Sequence, residues 1–223
     1  MSRAIVPVLL AAGSSSRFEG GHKLLSPLDR GAGPRPVVAH ALAALLDGFD
    51  TRPIVVTGAR GEEVEAALGA PATILHNPVH ARGMGTSLAV AARAVLERHP
   101  GAAMLLALGD MPLVNAATLR AVAAALSNAP DAAARAVTAG PPPRPGHPVA
   151  LGPAWLPAMA ALTGDEGLRA VLTAAAVRPV PVDARTQIDV DTREALARAA
   201  AMDTATDAGT DAAIVSRTSA RAR

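Results

Sequence analysis

The chain has 223 residues, of which 50% are hydrophobic and 18% charged, a balance that suits one folded α/β domain and argues against a disordered protein. Its net charge is only +2, its arginines are scattered and 1% of its residues are aromatic, so we expect no nucleic-acid partner. The absence of cysteine excludes disulfides and thiolate metal sites.

Strands and helices are predicted to alternate along the chain. Ala4–Ala12 is a continuous apolar run typical of a buried parallel strand. Because this run is too short to span a membrane, we predict a cytoplasmic protein without a membrane partner. Further strands are predicted at Pro53–Thr57, Ala72–Leu75, Ala103–Leu108, Arg135–Thr138, Val149–Leu151 and Val177–Val182. Helices are predicted at Val37–Leu46, Glu62–Leu68, Met84–Arg98, Asn115–Leu126, Trp155–Leu162, Glu166–Ala175 and Thr192–Met202.

This order of elements predicts the fold class and the extent of the domain. Alternating strands and helices indicate a single Rossmann-like three-layer α/β domain with a mostly parallel sheet. We place this domain at residues 1–202, with a Pro/Gly-rich turn at Gly140–Pro148. Residues 203–223 lack any hydrophobic periodicity and are predicted to be a disordered C-terminal tail.

The segment after the first strand, LAAGSSSRFEGGHK over residues 10–23, has the composition of a phosphate-binding loop. Gly13 allows the backbone to come close to a phosphate, and the following serines add hydroxyl and N–H donors. Arg17 and Lys23 add two positive charges, and Lys23 is the single lysine of the chain. The loop matches neither a Walker A sequence nor a dinucleotide fingerprint. An ordinary flexible connection between strand and helix is the alternative.

Two acidic motifs are candidates for a divalent metal site. Asp110 follows a buried strand in LALGDMP, so its carboxylate is expected at the same edge of the sheet as the loop. Oxygen ligands of this kind suit Mg²⁺. In IDVDT, strand-like alternation would put Asp189 and Asp191 on one face, where two carboxylates repel unless a cation lies between them. Asp110 could instead cap a helix or turn, and Asp191 could cap the last helix.

The motifs LLAAGSSSRF, HKLL, LGDMP, GHPV, GDEGLR and IDVDT follow one another in this order. Over about residues 5–202 the ordered set resembles the MobA-like nucleotidyltransferases, most closely the molybdenum cofactor cytidylyltransferases. The resemblance implies Mg²⁺-dependent transfer of CMP from CTP to the terminal phosphate of molybdenum-molybdopterin, with release of pyrophosphate. The partners it implies are CTP or another NTP and a phosphorylated pterin acceptor, with a recipient molybdoenzyme as a further candidate. Within the family, the LAAG opening favours cytidine.

The resemblance also implies roles for individual residues, and it assigns catalysis to Arg17, Lys23 and Asp110. The nucleotide would be bound by Leu10, Ala11, Ala12, Gly13, Ser14, Arg17, Lys23, Asn77, Gly83, Ser87 and Asp110. The acceptor would be bound by Gly146, His147, Pro148, Gly164 and Asp165, and the metal by Asp110 with Asp189 or Asp191. Because the attacking phosphate is already an anion, positioning and charge neutralisation suffice without a strong general base. His147 is therefore assigned to substrate binding.

The loop also departs from the family pattern. Where the family commonly has Arg-Met-Gly, this chain has Arg17, Phe18 and Glu19 followed by two glycines, which leaves the register of the loop open. Two other functions remain open as well. One is transfer to another phosphorylated acceptor, such as a sugar phosphate or a phospho-acid. The other is a nucleotide-binding chaperone for a molybdoenzyme with little turnover, against which the presence of Lys23 and Asp110 argues.

Overall fold

A computed structural model describes residues 3–139, 142–172 and 177–202. The strands are β1 (Ile5–Ala11), β2 (Pro27–Asp29), β3 (Pro34–Pro36), β4 (Ile54–Thr57), β5 (Thr73–His76), β6 (Ala103–Leu108), β7 (Ala133–Thr138), β8 (Arg144–Leu151) and β9 (Val177–Val182). The helices are α1 (Val37–Gly48), α2 (Gly61–Leu68), α3 (Met84–Arg98), α4 (Ala116–Ala124), α5 (Leu156–Ala160) and α6 (Arg193–Ala200). In the described residues no helix is long and apolar enough to cross a membrane.

Seven of the strands form one sheet in the order β5-β4-β1-β6-β8-β7-β9. Neighbouring strands are parallel except where β8 pairs antiparallel with β6 and β7, which confirms the predicted α/β fold with a mostly parallel sheet. Leu10 of β1 is level with Val56 of β4 and with Leu108 of β6. The segments that follow β1, β4 and β6 therefore leave the sheet side by side, at the edge where α/β proteins bind ligands.

Apolar side chains of β1 point alternately to the two faces of the sheet, and both faces are covered. Leu9 belongs to the core on the side of α1, α2 and α4, whereas Val8 belongs to the core on the side of α3 and α5. Burial on both faces explains why β1 is apolar without interruption.

A smaller cluster of apolar side chains lies beside the loop that follows β1. It consists of Phe18, Leu28, Val37, Leu113, Val190 and Ala199. These residues come from the loop, from β2, from the start of α1, from the segment after β6 and from the C-terminal part of the domain. This loop cluster therefore joins segments that are far apart in the sequence at one end of the sheet.

The second half of the chain departs most from the predicted elements. The turn predicted at Gly140–Pro148 is wrong from Arg144 onward, because strand pairing with β7 extends β8 through its prolines; residues 140 and 141 lie outside the described residues. The predicted helix Glu166–Ala175 is wrong, since its described part holds only a short 3-10 turn at Leu168–Ala170, and residues 173–176 are not described. The tail predicted at residues 203–223 also lies outside the described residues.

The predicted strand around Asp189 and Asp191 is wrong too. Residues 188–192 form an irregular segment, and α6 begins directly afterwards. The cap of α6 is Thr192, whose side chain accepts a hydrogen bond from the Ala195 N–H. Asp191 is therefore not the helix cap, and strand alternation does not relate the two aspartates.

Candidate functional site

The loop after β1 is folded by its own hydrogen bonds. Ser15 has a positive φ of 57°, and its carbonyl accepts a hydrogen bond of 2.9 Å from the Phe18 N–H. Its hydroxyl accepts another of 3.1 Å from the Lys23 N–H, so that one serine holds both parts of the loop. The His22 ring Nε2 lies 3.0 Å from the Gly13 carbonyl. Phe18 is only 6% exposed and anchors the loop in the loop cluster.

The base of this loop is formed by the end of β1 and by two glycines that directly follow the neighbouring strands, Gly58 after β4 and Gly109 after β6. Leu10, Ala11 and Ala12 are buried, whereas Gly13 and Ser14 are exposed where the chain leaves the sheet. A Cβ on Gly58 would lie 2.7 Å from the Ala12 carbonyl oxygen, and the Gly109 N–H donates to the Leu10 carbonyl at 2.8 Å. These close approaches bring the ends of β4 and β6 against the base of the loop.

The ammonium of Lys23 lies between two carboxylates. Its Nζ is 2.5 Å from Asp110 Oδ2 and 2.6 Å from Asp191 Oδ1. The exposed fractions of the Lys23, Asp110 and Asp191 side chains are 13%, 19% and 24%. Ion pairs in such a partly dry site are stronger than ion pairs in water. We call these three side chains the Lys–Asp cluster.

Charge pairing shifts two pKa values in the Lys–Asp cluster. Burial alone lowers the pKa of Lys23, but the charges of Asp110 and Asp191 and the hydrogen bonds to them outweigh burial and raise it. The hydrogen bond from Lys23 lowers the pKa of Asp191 despite burial, and the charges of Lys23 and Arg17 lower it further. Both Lys23 and Asp191 are therefore charged at neutral pH.

Arg17 reaches the same cluster from the solvent side. Its Nη2 is 2.8 Å from Asp191 Oδ2, and its side chain is 78% exposed. An exposed ion pair of this kind contributes little to stability, so Arg17 can exchange this partner for another anion at low cost. The two cations predicted from the loop thus converge on one carboxylate.

The structure separates the two aspartates of the IDVDT motif. Asp191 joins the Lys–Asp cluster because the Val190 N–H donates to the Asp110 carbonyl at 2.8 Å and holds the segment against the end of β6. Asp189 is exposed, and the described residues give it neither a hydrogen bond nor an ion pair. Asp191, and not Asp189, therefore lies beside Asp110.

The predicted nucleotide residues Asn77 and Ser87 are buried and contact each other. Asn77 Nδ2 donates to the hydroxyls of Thr86 at 2.8 Å and Ser87 at 2.9 Å, and its Oδ1 accepts from the Val79 N–H at 3.1 Å. These bonds tie the end of β5 to the start of α3. The amide of Asn77 is therefore engaged in holding this turn.

Gly83 also lies in the connection between β5 and α3, and it packs against Gly164 and Asp165. Gly83 has a φ of 120°, and a Cβ there would lie 2.3 Å from the Gly164 carbonyl and 2.4 Å from Asp165 Oδ1. Only glycine fits this contact. The segment predicted to touch the nucleotide and one predicted to touch the acceptor are thus in direct contact.

Gly146, His147 and Pro148 lie on β8, next to the end of β6. The side chain of Gln187 forms hydrogen bonds with both backbone groups of His147. Its Oε1 accepts from the His147 N–H at 3.0 Å, and its Nε2 donates to the His147 carbonyl at 2.7 Å. Arg135 Nε donates to the Gly146 carbonyl at 3.2 Å. Burial, together with the charge of Arg169, lowers the pKa of Arg135. Two arginines therefore give this part of the sheet a positive potential.

His147 is half-buried, with one side of its ring turned into the protein. Its Nδ1 is inaccessible to solvent and has no hydrogen-bond partner among the described residues. Burial, with the charge of Arg135 acting in the same direction, lowers the pKa of His147 to about 4. The imidazole is therefore neutral at neutral pH, which fits a binding or structural role better than proton transfer.

This low pKa predicts that the protein loses stability in weak acid. Between about pH 6.5 and pH 4, unfolded His147 takes up a proton that the folded protein does not, so the free energy of unfolding falls as the pH falls. We expect wild type to lose about 2 kcal/mol more than His147→Gln between pH 7 and pH 4.5, measured by urea unfolding. Parallel pH profiles for the two proteins would contradict a buried neutral His147.

Comparison with known proteins identifies the family. Residues 7–180 match the MobA-like NTP transferase domain. The chain belongs to this family. The resemblance inferred from the order of the motifs is therefore confirmed at the level of the family.

Individual relatives of this MobA-like chain carry different names. It is 38% identical to the molybdenum cofactor cytidylyltransferase of Escherichia coli K12 over 111 residues, which are 49% of this chain and 53% of that protein. It is 36% identical to the bifunctional protein GlmU of Sphingopyxis alaskensis over 124 residues, which are 55% of this chain and 26% of that protein. The chain thus spans about half of the first relative's length and a quarter of the second's.

A solved structure resembles this chain over most of its length. Rv0371c of Mycobacterium tuberculosis H37Rv is 28% identical, with a TM-score of 0.71 over 90% of this chain and 100% of that one. A second structure of Rv0371c is a complex with manganese; it is 26% identical, with a TM-score of 0.63 over 87% of this chain and 97% of that one. The likeness in fold extends over nearly the whole chain.

The oxygen ligands of this site fit a divalent cation that is held partly by the protein and partly by the substrate. They do not form a site in which the protein supplies every ligand. Within residues 3–139, 142–172 and 177–202, no group of three or more His, Cys, Asp or Glu side chains could hold a metal ion. Asp110 and Asp191 nevertheless offer carboxylate oxygens on two sides of one ammonium. Mg²⁺ is commonly held by one or two carboxylates plus waters and substrate phosphates, which this pair can provide.

Four residues that support the site were not predicted from the sequence: His22, Arg135, Gln187 and Arg193. His22 adjoins Lys23 in the sequence, and its position in the loop was a usable signal. Arg135 stands alone on an apolar strand, which is also unusual. Gln187 and Arg193 contact segments 40 and 173 residues away, and no local pattern indicates such contacts.

Proposed function

We propose that the protein transfers CMP from CTP to the terminal phosphate of molybdenum-molybdopterin and releases pyrophosphate. The observation that carries this proposal is the Lys–Asp cluster, in which Lys23 lies between Asp110 and Asp191 beside a Gly-rich loop at the carboxyl edge of the sheet. Cytidine and the pterin are supported by the identity to the E. coli cytidylyltransferase and by the order of the motifs.

The reaction needs charge neutralisation more than proton transfer. An oxygen of the acceptor phosphate forms a bond to the α-phosphorus of CTP, and the bond from that phosphorus to the oxygen bridging to the β-phosphate breaks. Pyrophosphate leaves with the electron pair of the broken bond. Lys23 and Arg17 supply positive charge for the phosphoryl oxygens, as cations do in other phosphoryl transfers.

Asp110 and Asp191 would hold Mg²⁺ in this reaction. When bound, the ion adds positive charge at the phosphates. The hydrogen bond from the Val190 N–H to the Asp110 carbonyl keeps the two carboxylates together. The manganese complex of Rv0371c supports a divalent cation in this group of proteins.

The acceptor would bind beside the positive part of the sheet. Gly146, His147 and Pro148 run alongside the end of β6, and Gly164 and Asp165 face the start of α3. The charges of Arg135 and Arg169 favour a phosphorylated acceptor over a neutral one. These charges support a phosphorylated acceptor. The pterin ring of the acceptor is supported by the motif resemblance and not by these charges.

A transferase acting on another phosphorylated acceptor is the second candidate, since the differently named GlmU proteins match as large a share of this chain as the cytidylyltransferase does. The test is pyrophosphate release with CTP, GTP, UTP and ATP, each with Mg²⁺ and with molybdenum-molybdopterin, a sugar phosphate or no acceptor. We expect release with CTP and molybdenum-molybdopterin. Release with another pair would reassign the substrates, and CTP binding without pyrophosphate release would favour the chaperone role.

A further inference from the structure

Arg193, the first residue of α6, contacts three consecutive residues of the Gly-rich loop. Its Nε donates to the Glu19 carbonyl at 2.9 Å, and its Nη2 donates to the Gly20 carbonyl at 3.0 Å. Its guanidinium carbon lies 4.9 Å from the centre of the Phe18 ring. A planar guanidinium can make all three contacts at once, whereas a lysine ammonium cannot match this fork.

These two hydrogen bonds fix the direction of two peptide groups. In a trans peptide the carbonyl and the following N–H point in opposite directions. Because the Glu19 and Gly20 carbonyls both point at Arg193, the N–H groups of Gly20 and Gly21 both point away from it. Neither N–H has a hydrogen-bond acceptor within the described part of the chain, and both glycines are exposed.

The backbone at Gly20 and the side chain of Arg193 fit each other closely. Gly20 has a φ of 75°, and a Cβ there would lie 2.8 Å from Arg193 Nη2. Gly21 has a φ of 147°. Two adjacent glycines would otherwise sample many conformations, so the arginine limits the freedom of this part of the loop.

We propose that Arg193 is a positioning residue that presents the Gly20 and Gly21 N–H groups to the triphosphate of the nucleotide. The inference rests on the proposed function, because it takes the loop to be the phosphate site. Backbone N–H groups that point the same way bind anions, and their effect is largest when they are held in place beforehand. Phe18 and Glu19 stand where the family commonly has Met-Gly, two further glycines follow, and Arg193 contacts this divergent stretch.

A purely structural role for Arg193 would have different consequences. Helix α6 is also held by Ala195 and Ala199, which are buried, and the preceding Val190 belongs to the loop cluster. Loss of Arg193 should therefore leave the helix in place. If the arginine served only to hold the helix, its removal would lower stability without a selective effect on phosphate binding.

The test compares Arg193→Ala and Arg193→Lys with Arg198→Ala, which removes an exposed arginine from the same helix. The probe is inorganic tripolyphosphate with Mg²⁺, measured by titration calorimetry, because it has neither base nor acceptor. We expect Arg193→Ala to weaken binding about 10-fold, Arg193→Lys to recover only part of this loss and Arg198→Ala to stay within about twofold of wild type. In turnover assays, Arg193→Ala should raise the KM for the nucleotide and leave the acceptor KM unchanged.

Other outcomes would overturn the inference in distinguishable ways. Unchanged tripolyphosphate affinity in Arg193→Ala, with only a lower unfolding midpoint, would reduce Arg193 to a structural contact. Full recovery by Arg193→Lys would show that charge alone matters and that the peptide groups are not being positioned. Failure of the wild type to bind tripolyphosphate would contradict the phosphate site itself, and with it the proposed function.

Discussion

Lys23→Ala is expected to lower the turnover of nucleotidyl transfer by about 100- to 1,000-fold, the effect typical of removing one preorganised charge from a phosphoryl or acyl transfer site. Lys23 is mostly enclosed, and its ammonium lies within 2.6 Å of both Asp110 and Asp191. Its removal leaves two carboxylates facing each other and takes away the main positive charge that the loop itself provides. The measurement is the initial rate of pyrophosphate release at saturating CTP, acceptor and Mg²⁺.

Two further variants separate catalysis from folding in this experiment. Arg52→Ala removes an exposed cation that lies outside the Lys–Asp cluster and should keep the wild-type rate. Lys23→Arg keeps the charge but not the compact ammonium, so it should recover little turnover. Far-ultraviolet circular dichroism should show all three variants folded. Near-normal turnover of a folded Lys23→Ala protein would remove this residue from the mechanism.

Asp191→Asn is expected to lower turnover about 100-fold and to weaken the response to Mg²⁺, whereas Asp189→Asn should stay within about twofold of wild type. Each change removes one negative charge from the same short motif. Each also keeps the shape of the side chain, because it replaces one carboxylate oxygen by an NH₂ group. Of these two aspartates, both of them described in the structure, Asp191 contacts Lys23 and Arg17 and Asp189 contacts neither. The measurement is the rate of pyrophosphate release as a function of Mg²⁺ concentration for the two variants and for Asp110→Asn.

The paired design also tests the assignment of the metal-side carboxylates. Asp110→Asn and Asp191→Asn should both shift the Mg²⁺ dependence to higher concentration, and manganese binding followed without nucleotide should weaken in both. If Asp189→Asn and not Asp191→Asn changed the Mg²⁺ dependence, the carboxylate beside Lys23 would have no metal role.

The sequence predicted the fold best where local patterns decide the structure. The unbroken apolar run of β1 and the helical pattern of α3 agree with the structure to within about two residues, because burial on the sheet and helix periodicity act over short stretches. The prediction failed at β8, where pairing with β7 overrides the turn preference of Arg144–Pro148. Local composition does not predict tertiary contacts of this kind.

Some residues of the candidate site could be placed from the sequence because they follow correctly predicted strands, whereas others depend on long-range contacts. Lys23 and Asp110 follow strands that were predicted correctly, and neighbouring parallel strands end at the same edge of a sheet. The choice between Asp189 and Asp191 depends on a backbone hydrogen bond from Val190 to Asp110, which spans 80 residues of sequence. The contact of Arg193 with Glu19 and Gly20 likewise joins segments that only the folded chain brings together.

The most direct test of the central claim follows the phosphates of CTP individually. CTP labelled at the α-phosphate or at the γ-phosphate is incubated with the protein, Mg²⁺ and molybdenum-molybdopterin, and the products are separated. We predict that the α-label appears in a cytidine–pterin dinucleotide and the γ-label in pyrophosphate, and that Lys23→Ala abolishes both. An α-label recovered only as free CMP, or as unchanged CTP, would contradict the proposed transfer.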